Sequence, residues 1–273
     1  MLLSVGIELI FKQHDFLSRI DSVAKAGLPA IELWGWMDKD IDAIDESRRR
    51  HNLEIAVLNL DPPVNVLKGD AIPALTQAVK ESCEAAVKLG CKRITSHLQE
   101  VPWGSGEEWY SFMGNAENSR LREEQLKNYI KALKAAAPIA EDSGVTLMLE
   151  PLNTLVDHSG YFLSSSIEAI EIIRQVDSTA LRLLFDCYHQ QITEGNLTDN
   201  LTRDISLVEH IHVADVPGRN EPGTGEINFL NVLAAAKRAG YNGYVGLEYI
   251  PTCDSLESMN HIRNIVEQVN SLS

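Results

Sequence analysis

Several features that would set a chain apart from ordinary globular proteins are scarce here. There are four cysteines, Cys83, Cys91, Cys187 and Cys253, scattered with no C-x-x-C pair, which disfavours a cysteine zinc site or a disulfide framework. No apolar run approaches the ~18 residues that would cross a bilayer. The opening stretch MLLSVGIELIF follows no basic segment and is broken by Glu8, so it makes a poor signal peptide and a good first strand. Positive charge is also short: 24 Lys and Arg stand against 39 Asp and Glu, a formal charge of -15. Such a surface repels phosphate backbones, which argues against non-specific nucleic-acid binding while leaving room for a locally basic pocket. No glycine cluster follows the first strand, where a doubly wound nucleotide-binding sheet normally carries its phosphate turn. No low-complexity linker divides the chain. These absences predict one domain over residues 1–273, reduced thiols in a cytoplasmic setting, and N-x-T triplets at Asn196 and Asn200 that are chance matches.

What is present is a regular alternation over 273 residues. Short apolar runs predict strands near Leu3–Leu9, Ala30–Trp34, Glu54–Leu60, Arg93–His97, Val145–Glu150, Leu181–Asp186, Glu209–Asp215 and Gly243–Tyr249. Amphipathic segments between them predict helices near Asp15–Ala26, Asp42–His51, Ile72–Leu89, Leu121–Asp142, Ser166–Val176, Asn200–Ser206, Asn228–Ala239 and Ser255–Asn270. Gly27, Gly90, Gly144 and Gly240 each fall between a helix and the next strand, where a C-terminal glycine belongs. Eight such βα units in about 270 residues predict a (β/α)8 TIM barrel. The longest irregular stretch, SHLQEVPWGSGEEWYSFMGNAENS, follows the fourth strand. It would lie on the C-terminal face, where Trp103, Trp109 and Tyr110 could wall a pocket.

Acidic and imidazole groups recur at the ends of four consecutive strands. Glu150 ends VTLMLE, Asp186 ends LRLLFD, His212 lies late in EHIHVAD and Glu248 late in GYVGLE. Period-two alternation places Met148 with Glu150, Leu184 with Asp186, His210 with His212, and Gly246 with Glu248 on shared faces. If those faces point inward, three carboxylates and an imidazole converge at the top of the barrel. Uncompensated buried charge costs several kcal/mol per ion, and a divalent cation removes that cost. The ligand set suits Mn²⁺ or Mg²⁺ and could also hold Co²⁺, Fe²⁺ or Zn²⁺. His210 sits deeper and reads as an interior residue. His97 is a weaker pocket candidate, and His14, His51, His158 and His261 are assigned no role.

FDCYHQQITEGNL (185–197), HIHVADVPGRNEPGTGEINF (210–229), GLEYIP (246–251) and LEPLN (149–153) resemble the signature blocks of hydroxypyruvate isomerases. These group with ketose 3-epimerases in the xylose isomerase-like barrel superfamily. The resemblance implies a divalent metal held by Glu150, Asp186, His212 and Glu248, with Glu150 and Glu248 doubling as the proton-transfer pair. It implies substrate contacts for His189 and Arg219. The chain departs from the hydroxypyruvate isomerases, which often carry Gln where it has His212, and from the epimerases, which place a glutamate where it has Val156. The implied reaction is isomerisation or epimerisation of a small sugar or keto acid through a cis-enediolate. A lyase or dehydratase on the same barrel, of keto-inositol or dehydroshikimate type, shares that enolisation and is the main alternative. A non-catalytic sugar-binding protein would have no use for a complete ligand set. An abasic-site endonuclease would need a richer His/Asp cluster, and the positions flanking Arg219 read Gly218 and Asn220. Glu221 and Glu226 read as loop-shaping residues. The expected partner is a small molecule, with no nucleic acid or membrane; barrels of this size often self-associate into homo-oligomers.

Overall fold

The computed structural model describes residues 1–99 and 116–272; Trp103, Trp109 and Tyr110 lie outside them. Eight strands, β1 (Leu2–Gly6), β2 (Ala30–Leu33), β3 (Glu54–Asn59), β4 (Arg93–Thr95), β5 (Thr146–Leu149), β6 (Leu181–Asp186), β7 (Val208–Val213) and β8 (Tyr244–Leu247), pair in sequence order into a closed parallel barrel. Around it run α1 (Phe16–Lys25), α2 (Ile41–Arg50), α3 (Ile72–Leu89), α4 (Ala116–Ser143), α5 (Ser166–Val176), α6 (Cys187–Thr193), α7 (Leu197–Arg203), α8 (Phe229–Arg238), α9 (Ser255–Ser258) and α10 (Asn260–Asn270). Every residue of β2 and β8 is buried, as parallel strands covered on both faces require. Among the described residues no helix is long and apolar enough to cross a membrane.

Local chemistry sets the boundaries. The Asp15, Asp40 and Ser165 side chains each accept from a backbone N–H three residues on, opening α1, α2 and α5. Gly90 closes α3 in the left-handed region at φ 70°, a conformation that costs an L-residue about 1–2 kcal/mol. Sequence periodicity misses α6, whose seven residues are too few to show a period. The segment expected as one helix over Ser255–Asn270 is divided at Met259 into α9 and α10.

Register aligns the functional level. Asp186 pairs with His212, His212 with Gly246, and Gly246 with Ser4, so four neighbouring strands present these positions side by side. Between β6 and β7 the register slips by one residue, Leu183 facing Val208 and Leu184 facing His210. The slip brings Leu184 and Asp186 into phase with His210 and His212. Ala30, Ala56, Val57, Met148, Leu184 and Tyr244 form a small apolar cluster inside the ring. A polar level of Ser4, Glu32 and His210 is also fully buried.

Candidate active site

The residues expected to converge do so. One ligand atom from each of Glu150, Asp186, His212 and Glu248 lies within 4.8 Å of the others, and all four residues are buried. Glu150 and Glu248 stand one residue beyond the ends of β5 and β8, while Asp186 and His212 are still within β6 and β7. Asp186 has two duties. Its Oδ1 caps α6, accepting from the amides of Tyr188 (2.7 Å) and His189 (3.3 Å). Its Oδ2 is buried without a hydrogen-bond partner among the described residues. His212 is divided in the same way: Nε2 lies 2.8 Å from Glu32 Oε2, and buried Nδ1 makes no hydrogen bond, standing 3.5 Å from both Glu150 Oε1 and Glu248 Oε2.

This donor set fits a cation. Three buried carboxylates face one guanidinium, Arg219, and one imidazole, His212, and the two atoms without a hydrogen-bond partner among the described residues, Asp186 Oδ2 and His212 Nδ1, are ligand types that face the common centre. The electrostatics agree. Burial, and then the charge of Glu248, push the Asp186 carboxyl up to about 7. Burial also works against ionised Glu150, yet the neighbouring His212 and His97 imidazoles hold it well below the ordinary range. Glu248 is lowered against its own burial by the His212 and Arg219 charges.

A cavity of about 170 Å³ opens on this cluster, lined by Trp34, Asn59, His97, Glu150, Leu152, His158, His189, Arg219 and Glu248. His189 is fully buried. Its Nδ1 accepts from the Asn153 backbone amide at 3.2 Å, which puts the ring proton on Nε2. Among the described residues that atom has no hydrogen-bond partner, and it lies 3.6 Å from Asp186 Oδ2. Burial, then the Arg219 charge, hold His189 well below the usual imidazole range, so it presents a neutral N–H donor. Arg219, at φ 56° after Gly218 at φ 101°, places one guanidinium nitrogen 2.5 Å from Glu248 Oε2. Burial opposes its charge, but Glu248 and Asp186 hold it firmly protonated. The fork carries five N–H donors, and one of them meets Glu248.

The loop that delivers Arg219 is organised by Asp215, whose carboxylate accepts from the amides of Val216, Gly223 and Ile227. At Gly225 a Cβ would stand 2.1 Å from Val216 O, so only glycine permits this approach. Glu221 is anchored to the Thr252 amide at 2.9 Å and Glu226 accepts from Gln191.

Other residues near the site carried weaker signals. His97 lies 3.0 Å from Glu150 Oε2 and Trp34 Nε1 donates to Glu248 Oε1 at 2.8 Å. His158, read from sequence as having no role, lines the cavity with its ring centroid 5.3 Å from that of His189; the correction follows from the β5–α5 loop folding back, where His158 N donates to Asn153 O. Glu32 is the largest omission. A lone acid inside the apolar run AIEL was its signal.

A closed (β/α)8 barrel with a carboxylate–imidazole cluster at the C-terminal rim defines the class: an enzyme of the TIM-barrel type. The profile of the xylose isomerase-like TIM barrel family matches residues 20–265, and the chain belongs to that family. It is 29% identical to the hydroxypyruvate isomerase of Escherichia coli (strain K12), over 91% of this chain and 93% of that one. A crystal structure titled AP endonuclease, family 2, from Brucella melitensis superposes with a TM-score of 0.83 at 25% identity, covering 97% of this chain and 99% of that one. A D-allulose 3-epimerase from Methylomonas sp. superposes with a TM-score of 0.79 at 19% identity, over 98% of each chain, and shares the fold. The chain is therefore an enzyme of the isomerase or epimerase group.

Proposed function

We propose that this protein is a divalent-metal-dependent isomerase of small hydroxy-keto acids or unphosphorylated ketoses, similar in activity to hydroxypyruvate isomerase. The observation that carries the proposal is the convergence of Glu150, Asp186, His212 and Glu248 with two ligand atoms left unpartnered beside the cavity. Those four residues would hold the cation, with Mn²⁺ or Mg²⁺ favoured by a set of three carboxylates and one imidazole. Bound there, the cation supplies Lewis-acid polarisation of a carbonyl and its neighbouring hydroxyl.

The chain's own residues handle the proton. Glu150 and Glu248 approach the cavity from strands three apart and form the acid–base pair. One takes the proton from the carbon bearing the hydroxyl, giving a cis-enediolate. Return of a proton to the neighbouring carbon, with the hydroxyl proton passing to the former carbonyl oxygen, moves the carbonyl by one position; return to the opposite face of the same carbon inverts it. Neither outcome needs a co-reactant. General acid–base help of this kind contributes typically ~10²–10⁴-fold. The His189 Nε2–H and the Arg219 fork are placed to donate to substrate oxygens, the arginine suiting a carboxylate. Four free thiols suit a reducing compartment such as the cytoplasm.

The activity for which the Brucella neighbour is named is not proposed for this chain. Among the described residues the second His/Glu group, Glu32–His210–His212, is closed by its own hydrogen bonds, and a net charge of -15 opposes docking on a phosphate backbone.

The test is a panel of hydroxypyruvate, other keto acids and ketoses incubated in D₂O with Mn²⁺ and followed by NMR. Deuterium should enter one carbon of a product that is an isomer of the substrate, with no water lost, and Glu150→Gln and Glu248→Gln should each abolish it. Loss of water from the product would make the enzyme a lyase. Full exchange in both variants would refute the acid–base assignment.

A further inference from the structure

The Glu32 carboxylate sits below the ligand cluster and touches it at one point only, His212. Its two oxygens are saturated by donors from two strands. Oε2 takes His212 Nε2 at 2.8 Å; Oε1 takes His210 Nε2 at 2.9 Å and Ser4 Oγ at 2.5 Å. Glu32, His210 and Ser4 are all within 3% of complete burial, so no water competes for these bonds. Gly246 makes the space: a Cβ there would stand 2.3 Å from Glu32 Oε1, 2.6 Å from His212 Cδ2 and 2.7 Å from His210 Nε2. A carboxylate can only accept, so the His212 nitrogen facing it must carry the proton. The other nitrogen, Nδ1, is then the one that can give up its proton and offer a lone pair to a cation, and it points at the ligand centre, 3.5 Å from both Glu150 Oε1 and Glu248 Oε2.

We propose that Glu32 is a positioning residue of the metal centre, fixing the ring plane and tautomer of His212 so that Nδ1 coordinates; this rests on the metal-dependent reading above. The three-way closure around Glu32 excludes the other use of this level, a second metal site, because both oxygens are already occupied and the glycine backbone fills the remaining space. Outer partners of metal-ligating histidines are worth typically ~10–100-fold in affinity. A glutamine at position 32 could not replace the carboxylate. Its amide oxygen accepts from one histidine, and its NH₂ then faces the other as a donor against a donor. If that ring is His212, relief comes by moving the proton to Nδ1, the nitrogen needed for coordination.

The experiment is calorimetric titration of the full-length wild-type protein and Glu32→Gln with Mn²⁺, with circular dichroism to show that the variant is folded. Wild type should bind one Mn²⁺ per chain and Glu32→Gln should bind it ~10–100-fold more weakly. Equal affinity in the two proteins, or two Mn²⁺ per wild-type chain, overturns the positioning role. Absence of Mn²⁺ binding by wild type would instead overturn the metal-dependent reading itself. Should Glu32→Gln fail to fold, ¹⁵N NMR of the Mg²⁺-loaded wild type decides: the His212 proton should reside on Nε2, and finding it on Nδ1 would refute the proposal.

Discussion

Adding one methyl group at Gly246 probes the layered interior most sharply. Gly246 does not sit at positive φ, so alanine brings no backbone strain and the effect is purely steric. The new Cβ would stand 2.3, 2.6 and 2.7 Å from atoms of Glu32, His212 and His210, all buried and hydrogen-bonded, so none can swing aside freely. Overpacking of this kind costs typically about 1–3 kcal/mol, which for a chain of this size is roughly 2–12 °C in Tm. Because the displaced group includes His212, Mn²⁺ affinity should fall together with stability. Gly144→Ala is the control. It lies at φ 66° with open space around its would-be Cβ, so alanine should cost about 1–2 kcal/mol of backbone strain and leave Mn²⁺ binding unchanged. Thermal melts and Mn²⁺ titrations of the two variants decide the matter. A Gly246→Ala protein with wild-type Tm and affinity would show that the Glu32–His210–His212 level is not packed as described.

Asp186→Asn should keep the α6 cap, since the amide oxygen can still accept from Tyr188 and His189. It should raise the metal-free Tm by removing one of three crowded charges, and weaken Mn²⁺ binding by more than the ~10–100-fold expected of an outer partner. Arg219→Ala strips the guanidinium from buried Glu248, where breaking a pair costs about 3–5 kcal/mol; the metal-free protein should melt earlier and gain more from added Mn²⁺ than wild type does. Metal binding should also depend on pH. Metal-free Asp186 is raised to about 7, so below that pH a proton must leave before the cation binds, and apparent Mn²⁺ affinity should drop up to about tenfold per pH unit from 7 toward 5. An affinity flat across that range would contradict the buried, cation-free carboxylate cluster.

The barrel was legible because its signals are local. Eight apolar runs, four helix-ending glycines and period-two alternation at Met148/Glu150 or Gly246/Glu248 need no knowledge of distant contacts. The carboxylate–imidazole cluster was legible for a related reason: the same residue types recur at equivalent strand positions, and closure of the ring does the rest. Glu32 and Trp34 were not, because their importance arises from contacts to His212 and Glu248 across 180 and 214 positions of chain. His158 was hidden by a loop whose path depends on Asn153, and α6 by a length too short for any period. Asp186 shows that a sequence pattern can carry two meanings at once, since one oxygen caps a helix while the other faces the ligand centre.

The central claim is that one cation sits among Glu150, Asp186, His212 and Glu248. Anomalous diffraction from crystals grown with Mn²⁺ tests it directly. The account predicts a single strong peak within coordination distance of those three carboxylates and of His212 Nδ1. A peak held instead by Glu32 and His210, or none in the cavity at saturating Mn²⁺, would contradict it.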